Sequence, residues 1–391
     1  MKIAMVFDGL QVGGIERVGA DYVKLLQQLG HKVTIFNLNP KLNDMEKEYR
    51  NECDIIPINF PRKLAPEQYT KLIKNNILGQ FVYSFVYIAM LLINFLYKII
   101  YHHRHILKQK YDLAIAFSGH YNDLTFVASG FVKCKKKMCW LHGALYGYVL
   151  ISDGFLNLYK KIKNLVVLVD IFQDEVLITN KQLSLNIYKL YNPSFIAFKE
   201  IDNEKVLQLK KKYGSFVMMV GRIAEDKDQL TLIKAIEYIK KKYKFEEKLV
   251  LVGDGIKRKE LEEYVVNHEL LNTIIFEGNR TDIQNYYSAA YLFAHSSPLE
   301  GLPTTLIEAL YFRLPIVATD SLPGVREILG NNDYGIITPV ANFEKLGETI
   351  YTMYFDKELY KKYSEKSKER FEDFSPERIK DKLNNIFSED V

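Results

Sequence analysis

Short apolar runs alternate with helix-length segments along almost the whole chain, and this alternation limits the possible folds more than any other feature. Most runs are bounded by Gly, Asp, Pro or Ser, as buried strands commonly are. Strands that alternate with helices favour parallel sheets with crossover helices, and therefore the α/β class. The pattern predicts strands at Ile3–Phe7, Val33–Asn37, Leu113–Phe117, Met138–Leu141, Leu165–Val169, Phe216–Val220, Leu249–Val252, Ile274–Glu277, Tyr291–Ala294 and Ile316–Ala318.

The length of the chain, 391 residues, exceeds what one hydrophobic core usually serves, so two domains are expected. The alternation pauses at residues 190–205, where Asn192-Pro193 breaks the regular pattern and the charge rises. We therefore predict an N-terminal domain over 1–193 and a C-terminal domain over 194–374. A final helix is predicted within 375–391, with Ser375 as its N-cap and Pro376 at its first helical position.

The composition is that of a folded protein, since 48% of the residues are hydrophobic and 26% are charged. Cys53, Cys134 and Cys139 have neither paired nor metal-like spacing, which favours a reducing compartment. The opening residues, MKIAMVFDGL, do not form a signal peptide. Residues 1–195 hold 24 Lys and Arg against 15 Asp and Glu, a net +9, while the whole chain has +5, leaving −4 for the remainder. A basic N-terminal half suits an anionic surface or a phosphorylated acceptor, although lysines that only maintain solubility are an equal alternative.

One segment, residues 81–100, is nearly continuous apolar sequence and is long enough to cross a bilayer as a helix. A single crossing is disfavoured, because the strands before and after the segment must share one sheet. At about 100° per residue, the polar positions form one narrow stripe, which comprises Gln80, Ser84, Asn94, Lys98, His102 and His105. The basic continuation over 102–110 would suit anionic headgroups. Burial in a groove of the fold and partial membrane contact both stay open.

Two loops carry weak signals for a phosphate-bearing ligand. Gly13-Gly14 precede an amphipathic helix, where a ligand can approach the backbone and helix N–H groups attract phosphate. The spacing of a dinucleotide fingerprint is absent, and a simple tight turn explains the two glycines as well. Arg222 and Lys227 follow a predicted strand that ends at Gly221, so they could clamp a diphosphate. Pairing with the neighbouring acids Glu225, Asp226 and Asp228 is the plainer alternative for both cations.

The segment EGLPTTLIEA, residues 300–309, places two carboxylates where a strand, a loop and a helix meet. A capping box of Thr305 and Glu308 would explain one threonine and one glutamate without any ligand. It would not explain Glu300. Carboxylates would accept hydrogen bonds from sugar and ribose hydroxyls, and the helix start would bind phosphate.

Together these segments resemble the retaining glycosyltransferases of the GT-B fold, specifically family 4, in order and approximate spacing. The resemblance implies an α/β architecture of two Rossmann-like parallel-sheet domains that face each other across a cleft. The C-terminal helix would return to the N-terminal, acceptor-binding domain, and the C-terminal domain would bind the nucleotide sugar. The glutamate pair of residues 300 and 308 is the most specific part of the resemblance.

The resemblance also implies a role for each matching residue. Arg222 and Lys227 would hold the donor diphosphate and neutralise the leaving group, Glu308 would bind the nucleotide ribose, and Glu300 would hold the donor sugar near the reacting carbon. The phosphate cradle would be completed by backbone amides in the Gly13-Gly14 loop and at Thr304, Thr305 and Leu306.

Other positions match the family in the same way. His142, in CWLHG, would lie near the sugar, although a core histidine at a strand end is an equal alternative. The loops 253–258 and 278–283, the second of which contains Arg280, would hold the base. One departure is Ser321-Leu322-Pro323-Gly324, which stands where such enzymes commonly continue with a double glycine.

The predicted function is therefore a retaining, metal-independent hexosyltransferase with a nucleotide-diphosphate donor, UDP-hexose being the most frequent choice. The acceptor would be a membrane-proximal or lipid-linked glycan in bacterial surface-polysaccharide synthesis, with the enzyme peripheral at the cytoplasmic face of the membrane. No metal, further cofactor or nucleic-acid partner is expected, and no D-x-D motif is placed to bind a metal. A nucleotide-sugar epimerase, a glycan phosphorylase and a non-catalytic subunit of an assembly complex are the alternatives. Product analysis and nucleotide binding would separate them.

Overall fold

The computed structural model describes residues 1–50, 52–61, 64, 69, 77–104, 109–143, 154–170, 174, 184–193 and 200–388. The chain divides into two compact units, each with its own sheet. The first comprises Met1–Pro193 together with Ile379–Val391, and the second comprises Ser194–Arg378. The final helix, Pro376–Ser388, therefore belongs to the first unit from Ile379 onward, and Ser375 caps it by accepting the N–H of Arg378 at 3.2 Å.

The first unit is built on a seven-stranded sheet in the order β3-β2-β1-β4-β5-β6-β7. Every neighbouring pair of strands is parallel. The strands are β1 Lys2–Phe7, β2 Lys32–Asn37, β3 Asp54–Pro57, β4 Tyr111–Ala116, β5 Cys134–Leu141, β6 Asn164–Val167 and β7 Asn186–Lys189. Its described helices are α1 Gly14–Gln28, α2 Glu46–Arg50, α3 Ile77–Arg104, α4 Tyr121–Ala128 and α5 Gly154–Ile162.

The second unit is built on a six-stranded parallel sheet in the order β10-β9-β8-β11-β12-β13. The strands are β8 Val217–Val220, β9 Leu249–Val252, β10 Ile274–Gly278, β11 Leu292–His295, β12 Ile316–Thr319 and β13 Ile336–Thr338. Its helices are α6 Asn203–Tyr213, α7 Gln229–Tyr243, α8 Arg258–Asn267, α9 Ile283–Ala289, α10 Thr304–Tyr311, α11 Gly324–Leu329, α12 Phe343–Phe355 and α13 Lys357–Phe371. The final helix, α14 Pro376–Ser388, passes into the first unit at Ile379.

All strands that the apolar runs predict are present, and the α/β prediction is confirmed. Three further strands, β3, β7 and β13, were not predicted. Each of them lies at the edge of its sheet. An edge strand has one neighbour and is partly exposed, so its sequence need not be a continuous apolar run. The half-buried residues of β3 and β7 fit this explanation.

The apolar helix α3 lies on the surface of the first unit and is not enclosed by it. Between Ile77 and Tyr101, Asn94 and Tyr101 are buried, and the other residues are exposed or half-buried. Of the two alternatives that the sequence left open for this segment, burial in a groove of the fold is therefore wrong for the described residues. By length and composition this helix could cross a membrane. The described strands before and after it, β3 and β4, lie in one sheet, which agrees with the argument against a single crossing.

The polar stripe on α3 partly faces the protein. Asn94 donates to the carbonyl of Leu64 at 3.2 Å, and Lys98 donates to the carbonyl of Ser129 at 2.9 Å. Tyr101 packs against phenylalanine rings of α4 and the turn after it. The remaining members of the stripe fall into two groups: Gln80 and Ser84 are exposed, while the side chain of His102 and all of His105 lie outside the described residues.

Candidate functional site

The candidate site in the second unit lies where β8 and β11 end. These strands are parallel neighbours, so the loops that follow Val220 and His295 emerge at the same edge of the sheet. The carboxyl edge of a parallel sheet is where ligands of α/β proteins bind. The loop after β8 carries Arg222 and Lys227, and the loop after β11 carries Glu300.

Glycines bring the loop after β9 close to the loop after β8. A Cβ atom on Gly253, where φ is +139°, would lie 2.0 Å from the carbonyl oxygen of Gly221. A Cβ atom on Gly255 would lie 2.2 Å from the carbonyl oxygen of Ile223. Neither position can accept a side chain without moving backbone. The predicted base-binding loop, 253–258, is therefore packed directly against the predicted diphosphate loop.

Local hydrogen bonds fix the backbone of Lys227. It ends a short 3₁₀ turn, Glu225–Lys227, and Asp228 then caps α7 by accepting the N–H of Thr231 at 3.2 Å. The carbonyl of Lys227 accepts from the hydroxyl of Ser296 at 3.2 Å, which ties this turn to the end of β11. The backbone of Lys227 is therefore hydrogen-bonded to the end of β11, from which the chain continues to Glu300.

Lys227 and Glu300 form an ion pair that the sequence did not predict. The ammonium Nζ lies 2.5 Å from Oε1 of Glu300, and the two side chains are 24% and 12% exposed. His295 approaches the same oxygen, with Nε2 at 3.4 Å. Burial would raise the pKa of Glu300, but His295 and Lys227 outweigh it and lower the pKa to about 2. Glu300 is therefore an anion at neutral pH and can only accept hydrogen bonds.

The loop that departs from the family pattern supports the backbone of Glu300. Gly324 donates its N–H to the carbonyl of Glu300 at 3.0 Å. A Cβ atom on Gly324 would lie 2.5 Å from the carbonyl oxygen of Gly301, so the two loops touch through bare backbone. Ser321 donates to the carbonyl of Ser297, which anchors the same loop to the end of β11. The loop of residues 321–324 therefore needs a glycine at position 324, where its backbone touches that of Gly301.

Helix α10 begins two residues earlier than the capping-box alternative requires. Pro303 is the N-cap, without a side-chain hydrogen bond, and its carbonyl accepts the N–H of Leu306 at 3.1 Å. Thr304 and Thr305 are the first two helical residues, so their N–H groups have no acceptor within the helix. The capping box of Thr305 and Glu308 is therefore wrong. Of the three amides predicted for the phosphate cradle, that of Leu306 already has a partner.

Glu308 is buried on α10 and is oriented by an aromatic residue of α9. Tyr287 donates its hydroxyl to Oε2 of Glu308 at 2.8 Å. The ring of Tyr287 stacks on Phe312 and on Phe293, which fixes the position of the hydroxyl. Glu308 is 8% exposed. The position of the Tyr287 ring, rather than the start of the helix, therefore sets the orientation of the Glu308 carboxylate.

The other two predicted cations, Arg222 and Arg280, pair with acids close to them in the sequence, whereas Lys227 does not. Arg222 is exposed and pairs with Asp226 at 3.1 Å, as the plainer alternative predicted for it. Its carbonyl is fixed by Gln229, which donates at 2.9 Å. Arg280 pairs with the buried Glu277 and lies over a tyrosine ring. Among the described residues, Arg280 forms no ion pair or hydrogen bond with Lys227 or Glu300.

Three predicted residues belong to the first unit. Gly13 is the N-cap of α1 in extended backbone, and Gly14 begins the helix. A Cβ atom on Gly14 would meet nothing within 4 Å, so its own unit leaves space there. His142 follows β5, with Nε2 2.6 Å from the carbonyl of Phe117. Burial lowers the pKa of His142 to about 4, so the ring is neutral at neutral pH and Nδ1 is the acceptor.

Two residues of this arrangement were missed by the sequence analysis, His295 and Tyr287. His295 is the last residue of β11, and a histidine at the carboxyl end of a buried strand was the available signal. Tyr287 lies in α9, remote in sequence from Glu308, and the sequence gives no signal that the two meet.

Comparison with known proteins relates the second unit to a known family. Residues 200–370 match the model of the family described as glycosyl transferases group 1. The second unit therefore resembles this family. The Lys227–Glu300 pair and the start of α10 both lie within the matched residues.

Curated relatives are similar over about half of their length. An N-acetylgalactosamine-N,N'-diacetylbacillosaminyl-diphospho-undecaprenol 4-alpha-N-acetylgalactosaminyltransferase of Campylobacter jejuni is 30% identical over 191 residues, covering 47% of this chain and 50% of the relative. An amylovoran biosynthesis glycosyltransferase, AmsD of Erwinia amylovora, is 28% identical over 172 residues, covering 44% of this chain and 48% of the relative.

Solved structures are similar over the whole chain. HepE of Anabaena, in complex with UDP, is 19% identical, covers 99% of this chain and 100% of its own, and has a TM-score of 0.75. Its complex with UDP-glucose is likewise 19% identical, covers 99% of both chains and has a TM-score of 0.73. This likeness, with the two parallel sheets, confirms the predicted GT-B fold.

Proposed function

We propose that this protein is a retaining, metal-independent hexosyltransferase that uses a nucleotide-diphosphate sugar, with UDP-hexose as the first donor to test. Its acceptor is a membrane-proximal or lipid-linked glycan in bacterial surface-polysaccharide synthesis. The observation that carries the proposal is the Lys227–Glu300 pair in a unit that resembles the group 1 glycosyltransferase family.

Lys227 and the start of α10 supply the positive potential that a diphosphate needs. The ammonium of Lys227 has three donors and uses one of them on Glu300. The N–H groups of Thr304 and Thr305 lie at a helix N-terminus, where the helix dipole favours an anion. Arg222 reaches the same anion by leaving its exposed pair with Asp226, which contributes little to stability. These groups bind the diphosphate, while Glu308 accepts the ribose hydroxyls.

The ionised Glu300 accepts hydrogen bonds from the donor sugar. Both of its described contacts reach Oε1, and no hydrogen bond from the described part of the chain reaches Oε2. Oε2 is therefore the atom that holds a sugar hydroxyl. Neutral His142 offers Nδ1 as a second acceptor for the sugar. Neither group is protonated at neutral pH, so neither acts as a general acid.

The reaction then depends on positioning and on stabilising the leaving group. The bond between the anomeric carbon and the β-phosphate oxygen breaks, and a new bond forms between that carbon and the acceptor oxygen. The acceptor proton passes to the departing diphosphate on the same face, which retains the configuration. Lys227, Arg222 and the start of α10 neutralise the charge that develops on the diphosphate, as a metal does elsewhere.

A membrane-proximal acceptor is supported by α3. This helix exposes large apolar side chains, which include Ile77, Leu78, Phe81, Phe85, Ile88, Leu92, Phe95, Leu96, Ile99 and Ile100. A surface patch of this kind marks an interaction site. The Campylobacter relative is named for a diphospho-undecaprenol acceptor, which is a lipid-linked glycan. We therefore place the enzyme at the cytoplasmic face of the membrane, with α3 in contact with lipid.

Basic residues near the attached end of α3 fit anionic headgroups. Lys98 on α3 and Lys161 both lie near Lys137. Burial is the main cause that lowers the pKa of Lys137, and the two neighbouring cations lower it further, whereas Cys134 opposes the shift. Each lysine near an anionic membrane surface contributes about 1 kcal/mol to binding. Apolar insertion and charge attraction would therefore act together.

A donor panel tests the proposal directly. UDP-, GDP- and dTDP-hexoses are incubated with the purified full-length protein and lipid-linked acceptors from a cell extract, and products are identified by mass spectrometry. We expect one donor to give a lipid-linked product, and NMR of that product to show the anomeric configuration of the donor. An isomerised donor sugar without an acceptor would identify an epimerase, and the absence of nucleotide binding by calorimetry would identify a non-catalytic subunit.

A matched pair of lysine variants isolates the role of Lys227. Lys227→Ala should lower kcat about 10²- to 10³-fold, the loss expected when one charge-stabilising group is removed. Lys241 pairs with Glu237 at the same 2.5 Å, but it is exposed on α7. Lys241→Ala should therefore leave kcat unchanged. Equal rates for Lys227→Ala and the wild type would refute the assignment.

A further inference from the structure

His295 is a buried imidazole without a hydrogen bond. It is 2% exposed at the end of β11, and neither Nδ1 nor Nε2 forms a hydrogen bond with a described residue. A buried polar group without a partner destabilises a fold by about 1–3 kcal/mol. The nearest charged group is Glu300, with its Oε1 3.4 Å from Nε2, beyond good hydrogen-bond distance. The ring nitrogen is therefore close to a partner that it does not yet bind.

The oxygen beside His295 is held by Lys227, which the proposed function also requires for the donor. A diphosphate carries more negative charge than a carboxylate and would draw the ammonium of Lys227 away from Glu300. Glu300 would then lose the single hydrogen bond that the described residues give its carboxylate. A carboxylate only 12% exposed needs another donor at that moment, because water reaches it poorly.

We propose that His295 is a positioning residue that binds Oε1 of Glu300 when Lys227 turns to the donor diphosphate. A movement of ~0.6 Å brings Nε2–H to an ordinary hydrogen-bond distance from Oε1. The exchange keeps Oε2 directed at the sugar hydroxyls while Lys227 neutralises the leaving group. Without His295, Glu300 and the diphosphate would compete for one ammonium. This inference rests on the proposed function.

The two possible roles of His295 predict different effects on activity, with stability kept or raised in both. If the ring only fills space, an apolar side chain of similar size removes two unpartnered nitrogens and leaves activity intact. If the ring positions Glu300, the same substitution keeps or raises stability and lowers turnover. His295→Gln is the conservative variant, because its side-chain Nε2–H group can reach the position of the ring nitrogen and donate to Oε1 of Glu300.

The experiment compares wild type, His295→Leu and His295→Gln with the donor that the panel selects. We expect His295→Leu to lower kcat about 10- to 100-fold, to change KM for the donor less, and to keep the melting temperature or raise it. His295→Gln should recover part of kcat. Affinity for UDP alone, measured by calorimetry, should also fall in His295→Leu, because the diphosphate of UDP then competes with Glu300 for Lys227.

A second histidine serves as the control. His268 lies 2.9 Å from the carboxylate of Glu237 and is half-exposed on the same unit. His268→Leu should leave kcat unchanged. Wild-type kcat in His295→Leu, or a loss of kcat that parallels a lower melting temperature and is not recovered by glutamine, would overturn the inference. A wild type that neither binds nor transfers from any donor would instead refute the proposed function.

Discussion

Serine in place of Phe81 and Phe85 should release the protein from lipid vesicles. Phe81 is 67% exposed and Phe85 is 75% exposed on α3. A phenylalanine side chain offers about 200 Å², so the two rings expose about 280 Å² of apolar surface. At about 25 cal/mol per Å², complete immersion in hydrocarbon would contribute about 7 kcal/mol. Half immersion, as expected for a helix lying at the lipid boundary, gives about 3 kcal/mol.

The assay is vesicle flotation with the purified full-length protein and vesicles of 30% anionic lipid as the probe. A loss of about 3 kcal/mol lowers the partition coefficient by about a hundredfold, since 1.36 kcal/mol is a factor of ten. Wild-type protein should therefore float with the vesicles, and Phe81→Ser/Phe85→Ser should stay at the bottom of the gradient. Both proteins should keep the same melting temperature, because neither ring is buried in the fold.

The matched control removes equally exposed apolar side chains from the second unit. Leu207 is 68% exposed and Leu271 is 61% exposed, and neither lies on α3. Leu207→Ser/Leu271→Ser should float like the wild type. Equal flotation of both double variants would show that α3 does not contact lipid. A membrane role for α3 would then have to be abandoned, although the transferase proposal would stand.

Three further predictions follow from individual contacts. Tyr287→Phe removes the hydrogen bond to Glu308 and keeps the ring stacking, so UDP affinity should fall about 5-fold, roughly 1 kcal/mol; unchanged affinity in calorimetry would contradict the orienting role. Burial raises the pKa of Asp123 from 3.8 to about 7. The folded state thus binds more protons, and stability falls as pH rises from about 4 through 7. In urea unfolding at pH 4 and 7.5, Asp123→Asn should show a smaller loss than the wild type; equal losses would refute this. Lys98→Met removes the donor to the Ser129 carbonyl, so hydrogen exchange at the attached end of α3 should become faster, and unchanged exchange would show that this bond does not hold the helix.

Particular elements show how far the sequence alone could go. The central strands were predictable because they are buried on both faces and therefore read as continuous apolar runs. The edge strands β3, β7 and β13 were not, because partial exposure relaxes their pattern. Ser375 was predictable as an N-cap, since a cap is a local interaction. Thr305 was not excluded as one, because the place where α10 begins depends on the packing of its loop.

The candidate site divides in the same way. The sequence predicted Arg222, Lys227 and the glutamate pair as the residues that would bind a diphosphate sugar. The plainer alternative to a diphosphate clamp paired both cations with acids of their own loop, and this alternative was right for Arg222 and wrong for Lys227. The partner of Lys227 is 73 residues away, and such a contact follows from the order of strands in the sheet.

By itself, the sequence determined the α/β class, the central strands of both sheets and the residue types of the candidate site, because burial periodicity and residue type are local properties. Only the tertiary structure decided which charges meet. Adjacent parallel strands bring Lys227, His295 and Glu300 to one edge of the sheet, and no spacing along the chain encodes that adjacency. The structure also decided that α3 lies exposed, because a helix apolar enough for a core is equally suited to lipid, and only its packing distinguishes the two.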